Sequence, residues 1–116
     1  MNYNKEIAAT ILAQLGGRRF IAFTGAKDFF TIDNGLRFTI GRNASKANRV
    51  EIKLNGSDLY DVEFIKFSPA RLKVDHRKGT AEWVDEKSVT VRTFADCFFD
   101  MLQPIFTEVT GMYTHF

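Results

Sequence analysis

Short segments of alternating apolar and polar residues fill the middle of this 116-residue chain, and turn sequences separate them. Leu, Phe and Ile alternate with Arg and Thr over residues 36–40, and Val, Ile and Leu alternate with Glu and Lys over residues 50–54. A period of two places the apolar side chains on one face of a strand. The pattern therefore predicts half-buried antiparallel strands.

Other segments extend this sheet. The Asp-Asn-Gly sequence at 33–35 and the Asn-Gly-Ser-Asp sequence at 55–58 predict turns, because Asn and Gly tolerate a positive φ. A Ser-Pro-Ala break at 68–70 ends one strand, and residues 85–88 read as a polar loop. The further predicted strands cover residues 19–23, 28–32 and 60–66, with a hairpin that pairs 72–76 with 82–84 across 77–79.

Helical periodicity marks both ends of the chain. Apolar residues from Ile7 to Leu15 recur at helical spacing and predict a helix over residues 4–15, ended by Gly16. A second apolar stripe runs from Phe94 to Val109. Pro104 lies inside that stripe, so we expect the C-terminal helix to be kinked or split near residue 103.

The order of these elements is helix, five to seven strands, helix. It predicts an α+β fold in which an antiparallel meander sheet carries the N-terminal and C-terminal helices on one face. The length suits a single domain over residues 1–116. Twelve Phe residues are unusual for this length, and most of their rings should be buried.

Charge is distributed unevenly along the chain. Residues 1–53 hold nine Lys or Arg against four Asp or Glu, whereas residues 54–116 hold seven against ten. The two halves either form a dipolar surface or interleave in space so that their fields cancel.

Reactive side chains are scarce. Cys97 is the single cysteine, so no intramolecular disulfide forms, and it sits within an apolar stripe that would suppress its reactivity. His76 and His115 have no patterned partner. We therefore expect no catalytic site, no metal site and no cofactor, and an enzyme of unknown type is the least favoured reading.

Targeting signals are not visible in the sequence. The N-terminus lacks the basic start and apolar run of a signal peptide, and no window approaches the roughly 20 apolar residues of a membrane span. The sequence predicts a cytoplasmic protein without a membrane partner.

One segment concentrates basic and amide side chains without a carboxylate. Residues 41–49 read Gly-Arg-Asn-Ala-Ser-Lys-Ala-Asn-Arg, between two predicted strands. Such a loop donates many hydrogen bonds to phosphate or carboxylate oxygens. Lys27, at the basic tip of a predicted tight turn, supports it if the strand order brings the two to one edge. The alternative is a polar connection that charge keeps soluble. The candidate binding residues are Arg42, Asn43, Lys46, Asn48, Arg49 and Lys27.

Several stretches resemble a group of small uncharacterised proteins encoded by bacteriophages and other mobile elements. The resembling stretches are residues 15–20, 24–27, 41–49, 58–61 and 106–113. The resemblance implies a compact α+β domain but assigns no activity and no functional residues. A phage origin favours a protein directed at the host, such as an inhibitor of a defence nuclease, which would work in the host cytoplasm.

Two binding functions follow from these residues. The first is a non-enzymatic accessory protein that acts on a host protein by occupying its surface. The alternative is a small nucleic-acid-binding domain that uses the basic loop 41–49. Half-buried Phe-rich strands would also leave an apolar patch for homo-oligomer formation.

Overall fold

The computed structural model describes residues 3–114. Two helices come first, seven strands follow, and a 3₁₀ turn leads into the last helix. In chain order the elements are α1 (Tyr3–Leu15), α2 (Arg18–Thr24), β1 (Lys27–Ile32), β2 (Gly35–Thr39), β3 (Arg49–Leu54), β4 (Tyr60–Ser68), β5 (Arg71–Asp75), β6 (Thr80–Val84), β7 (Lys87–Cys97), the 3₁₀ turn (Phe99–Met101) and α3 (Leu102–Thr110).

The main sheet has five antiparallel strands in the order β1-β2-β3-β4-β7. Four successive strands form the predicted meander, and β7 returns along the free edge of β4. The registers align apolar residues across the sheet, with Phe38 opposite Val50 and Val50 opposite Phe64. The α+β prediction is confirmed, as is the N-terminal helix.

One face of this sheet is covered by the helices. Phe20 from α2 lies at the centre of the core, where its ring meets Phe38 at 5.4 Å and Phe106 at 5.0 Å, both edge to face. Ile11 of α1 and Leu102 of α3 are buried in the same cluster. The terminal helices therefore share one apolar layer with the sheet.

Residues 19–23 were predicted as a strand, and this prediction is wrong because they belong to α2. Phe20 and Thr24, four residues apart, are both buried, and the Thr24 hydroxyl donates to the Phe20 carbonyl at 2.7 Å. Gly25 ends the helix at φ 68° and donates its N–H to Ile21 O. A short apolar run fits either period, and packing on the core selects the helix.

The prediction of one C-terminal helix from Phe94 to Val109 is also wrong at its start. Residues 94–97 end β7, where Cys97 lies opposite Tyr60 and Phe94 opposite Val62. The helix begins only at Leu102, which puts Pro104 in its first turn. A missing N–H costs little there, so the proline helps to start the helix and does not kink it.

The predicted hairpin exists as β5 and β6, which pair only with each other as a separate two-stranded sheet. Lys87 already belongs to β7, so the predicted loop at 85–88 is shorter than expected. We call residues 71–84 the hairpin arm. With the arm the described chain measures 54 × 34 × 23 Å. Its radius of gyration of 16.4 Å exceeds the roughly 13 Å typical of a compact domain of this length.

Candidate functional site

The loop between β2 and β3 is held in shape by its own polar side chains. The Asn43 amide donates to Gly41 O at 2.8 Å and to Ala47 O at 2.6 Å. Its Oδ1 accepts the backbone N–H of Ser45 at 3.0 Å and also the Ser45 hydroxyl. Because both ends of this amide are engaged, Asn43 builds the loop and is not a free donor for a partner.

Two further contacts fasten the loop to the body of the protein. The Ala44 N–H donates to Thr110 O, at the end of α3, at 3.0 Å. Ala47 is buried in the core with 1% of its surface exposed. The loop is therefore anchored from inside and presents a defined surface.

Asn48 fastens the loop to β4 through both its backbone and its side chain. Its backbone N–H donates to Ile65 O at 2.9 Å, and its carbonyl accepts from Ile40 N at 2.9 Å. Its side chain bonds to the backbone of Phe67 in both directions. Asn48 therefore acts mainly as a structural link between the start of β3 and the far end of β4.

Arg42 and Lys46 remain exposed on this rigid loop. Lys46 has a positive φ of 65°, in the left-handed region, and occupies the turn at the loop tip. Both side chains border an open depression of about 500 Å³ on the helix-covered side of the sheet. The depression is lined by Ile40, Gly41, Arg42, Asn43, Lys46, Ala47, Asn48 and Lys66.

Lys66 is a third cation at this depression, and the sequence did not single it out. It is exposed on β4, two residues beyond the core residue Phe64 and therefore on the same strand face. Its spacing of two from Phe64 in the sequence indicates that it shares a strand face with the core residue. Only the pairing of β4 with β3 brings it beside residue 48. No Asp or Glu lines the depression. We call Arg42, Lys46 and Lys66 the basic triad.

The remaining predicted residues lie outside the depression. The Arg49 guanidinium lies 4.0 Å from the ring centroid of Phe67, a cation–π contact on the uncovered face of the sheet. Lys27 is exposed at the start of β1, opposite Thr39 at the end of β2. The structure thus brings Arg42, Asn43, Lys46 and Asn48 together, with Arg49 and Lys27 on other surfaces.

The uncovered face of the sheet carries charges of both signs. Glu51 lies directly across from Glu63, and Lys53 lies across from Asp61. These side chains line a shallow depression of about 240 Å³. Arg49 and Lys53 share this face with the three carboxylates, so its charges are mixed, unlike the lining of the depression beside the loop.

The reactive side chains lie far apart in the described part of the chain. His76 is exposed in the turn at the tip of the hairpin arm, whereas Cys97 is buried at the opposite end of β7. Burial raises the pKa of the Cys97 thiol, and the negative charges of Asp61 and Asp96 raise it further. Within residues 3–114 no three His, Cys, Asp or Glu side chains are placed to hold a metal ion. His115 lies outside the described residues.

No family model, curated protein or solved structure matches this chain significantly. Between residues 3 and 114, none of the helices has both the length and the apolar character required to cross a bilayer. The function is accordingly inferred from the geometry of the surfaces described above.

Proposed function

We propose that this chain is a non-enzymatic binding protein that occupies the surface of a partner protein through the basic triad. The observation that carries the proposal is the convergence of Arg42, Lys46 and Lys66 on one anchored depression whose lining holds no carboxylate. Three cations without a local counter-charge attract an anionic group. The rigid loop lowers the entropic cost of ordering the site when a partner binds.

The form of the site favours carboxylates on a protein over a nucleic-acid backbone. The triad surrounds a compact depression, whereas nucleic acids are bound by basic stripes that follow the phosphates.

The Arg42 guanidinium can hold a partner carboxylate through two parallel hydrogen bonds. Lys46 and Lys66 would add positive potential beside it, which speeds encounter with an acidic protein surface. The resemblance to proteins of bacteriophages and mobile elements favours a host protein as the partner, for example a defence nuclease whose substrate site is blocked.

Binding to an acidic peptide of Asp and Glu, compared with binding to single- and double-stranded oligonucleotides, tests the proposal. The triple variant Arg42→Ala, Lys46→Ala, Lys66→Ala should lose peptide binding at least tenfold and retain its fold, because all three side chains are exposed. The matched control is Arg18→Ala, Arg19→Ala, Lys27→Ala, which removes the same charge from exposed sites outside the depression.

Comparison of the two variants distinguishes binding at the basic triad from a general effect of net charge. Equal loss in both would mean that overall charge governs binding, and the assignment to the triad would be wrong. A nucleic-acid-binding function would replace this proposal if the protein binds oligonucleotides strongly and only the triple variant of the basic triad loses that binding. Once a host partner is captured, the same pair of variants can be tested on it directly.

A further inference from the structure

The hairpin arm carries an apolar face that none of residues 3–114 covers. Leu72 lies opposite Trp83 and Val74 opposite Ala81, so these four residues share one face of the two strands. Leu72, Val74 and Trp83 are 51%, 50% and 73% exposed. A two-stranded hairpin is at best marginally stable in water without a layer on its apolar face.

A second apolar surface lies at the junction between β7 and α3. Phe98, Phe99 and Met101 are 59%, 61% and 41% exposed within four consecutive positions. Single exposed apolar residues are ordinary, but a contiguous group of this kind marks an interaction site. We call these three residues the turn patch.

The two surfaces lie at opposite ends of the molecule. The arm joins β7 at Lys87, and the turn patch follows Cys97 at the other end of this 11-residue strand. A strand of that length spans roughly 35 Å. Two copies side by side in antiparallel orientation would therefore bring the arm of each to the turn patch of the other.

We propose that the apolar face of the arm is occupied by the turn patch of a second copy, in a two-fold dimer closed by reciprocal exchange of arms. The same contact then occurs twice, as a closed symmetric dimer requires. Trp83 becomes the central anchor of each contact, the kind of residue that dominates interface energies. This inference uses no residue of the basic triad and stands independently of the proposed function.

The area available supports this geometry over a simpler one. Large side chains of the aromatic class bury about 150–250 Å² each, so the observed exposures give roughly 500–840 Å² for one arm against one patch. Two such contacts bury roughly 1,000–1,700 Å², a range that reaches the size of a standard stable interface. Two arms packed on each other would bury only about 520–870 Å², which is too little for a stable dimer.

Size-exclusion chromatography with light scattering tests the dimer on the full chain. The wild type should run at twice its 13.3 kDa mass at micromolar concentration. Trp83→Lys and Phe99→Lys should each give a monomer with an unchanged circular dichroism spectrum. Tyr113→Lys is the control, because Tyr113 is 71% exposed but belongs to neither surface, and this variant should stay dimeric.

A monomeric wild type, or a series of larger open-ended assemblies, would overturn the proposal. So would a dimer that survives both Trp83→Lys and Phe99→Lys.

Cross-linking with a short bifunctional maleimide tests the reciprocal geometry. Ala81 lies on the apolar face of the arm and Asp100 lies within the turn patch, so cysteines at these exposed positions leave Trp83 and Phe99 in place. An equimolar mixture of Ala81→Cys and Asp100→Cys should yield a covalent dimer, while Cys97 stays unreactive because only 2% of its surface is exposed. Ala81→Cys alone should remain uncoupled. Efficient coupling of Ala81→Cys to itself would place arm on arm and rule out the exchange.

Discussion

The side-chain amide of Asn48 hydrogen-bonds to the backbone of Phe67 in both directions. Its Nδ2 donates to Phe67 O at 2.7 Å, and its Oδ1 accepts from Phe67 N at 2.8 Å. These two bonds continue the β3–β4 ladder past Arg49, the residue at which β3 begins. They connect the anchored loop to the stretch of β4 that leads into the hairpin arm, and they hold Lys66 beside Arg42 and Lys46.

Replacing Asn48 with Ala should therefore weaken both the fold and the site. The Phe67 N–H and C=O would each lose a partner in a half-buried position, which should lower the free energy of unfolding by about 1–3 kcal/mol. Urea unfolding measures the loss. Amide hydrogen exchange at Phe67 should also accelerate, and unchanged protection there would show that the backbone does not depend on this side chain.

Gly35 should not tolerate a side chain. An added Cβ would come within 2.2 Å of Ile52 O and 3.0 Å of the Lys53 Cα on the neighbouring strand, so β2 and β3 would have to separate. We expect Gly35→Ala to cost about 3 kcal/mol in thermal or urea unfolding. Gly56→Ala is the control, because nothing lies within 4 Å of its Cβ position and its φ is not positive. Similar midpoints for the two variants would contradict the close approach.

The position of α2 makes Phe20 critical to the core. Its side chain is fully buried between the Phe38 and Phe106 rings, so Phe20→Ala should lower the unfolding free energy by about 3–5 kcal/mol. Phe30→Ala provides the contrast. Its ring is 54% exposed and contacts only the Arg37 guanidinium among the ring contacts described, so its removal should cost less than about 1 kcal/mol.

Stability should fall at alkaline pH. Burial raises the pKa of the Cys97 thiol, and Asp61 and Asp96 act in the same direction. The folded state therefore keeps the thiol proton at a pH where the unfolded state has released it. The stabilisation is complete below the unfolded pKa of about 8.5 and is lost as the pH rises through the folded pKa.

A Cys97→Ala variant separates this effect from other alkaline titrations. Its unfolding free energy should decline less than that of the wild type as the pH rises above about 8.5. Burial also raises the pKa of Tyr60, opposed by its hydrogen bond with Gln14, so some decline should remain at higher pH. Identical pH profiles for wild type and variant would exclude Cys97 as a source, and rapid alkylation of the native thiol would contradict its burial.

Local patterns were enough to predict most of the sheet and the first helix. The alternation over 36–40 and 50–54, and the turn sequence Asp-Asn-Gly at 33–35, depend on neighbouring residues. They survive in the structure as β2, β3 and the turn that leads into β2. The candidate loop was also found from its composition. Its internal hydrogen bonds could not be, because whether Asn43 faces solvent or its own backbone depends on the folded shape of the loop.

The sequence by itself determined the α+β class, the hairpin turns and the basic character of residues 41–49, because each follows from residue types a few positions apart. Tertiary structure decided the state of 19–23 and 94–97, since a short apolar run satisfies a strand or a helix until it meets its neighbours. Contact of Phe20 with Phe38 and Phe106 selects the helix for residues 19–23. Pairing with β4 selects the strand for residues 94–97. The same long-range pairing placed Lys66 at the depression and left Trp83 exposed on the arm, and neither outcome is encoded in any local pattern.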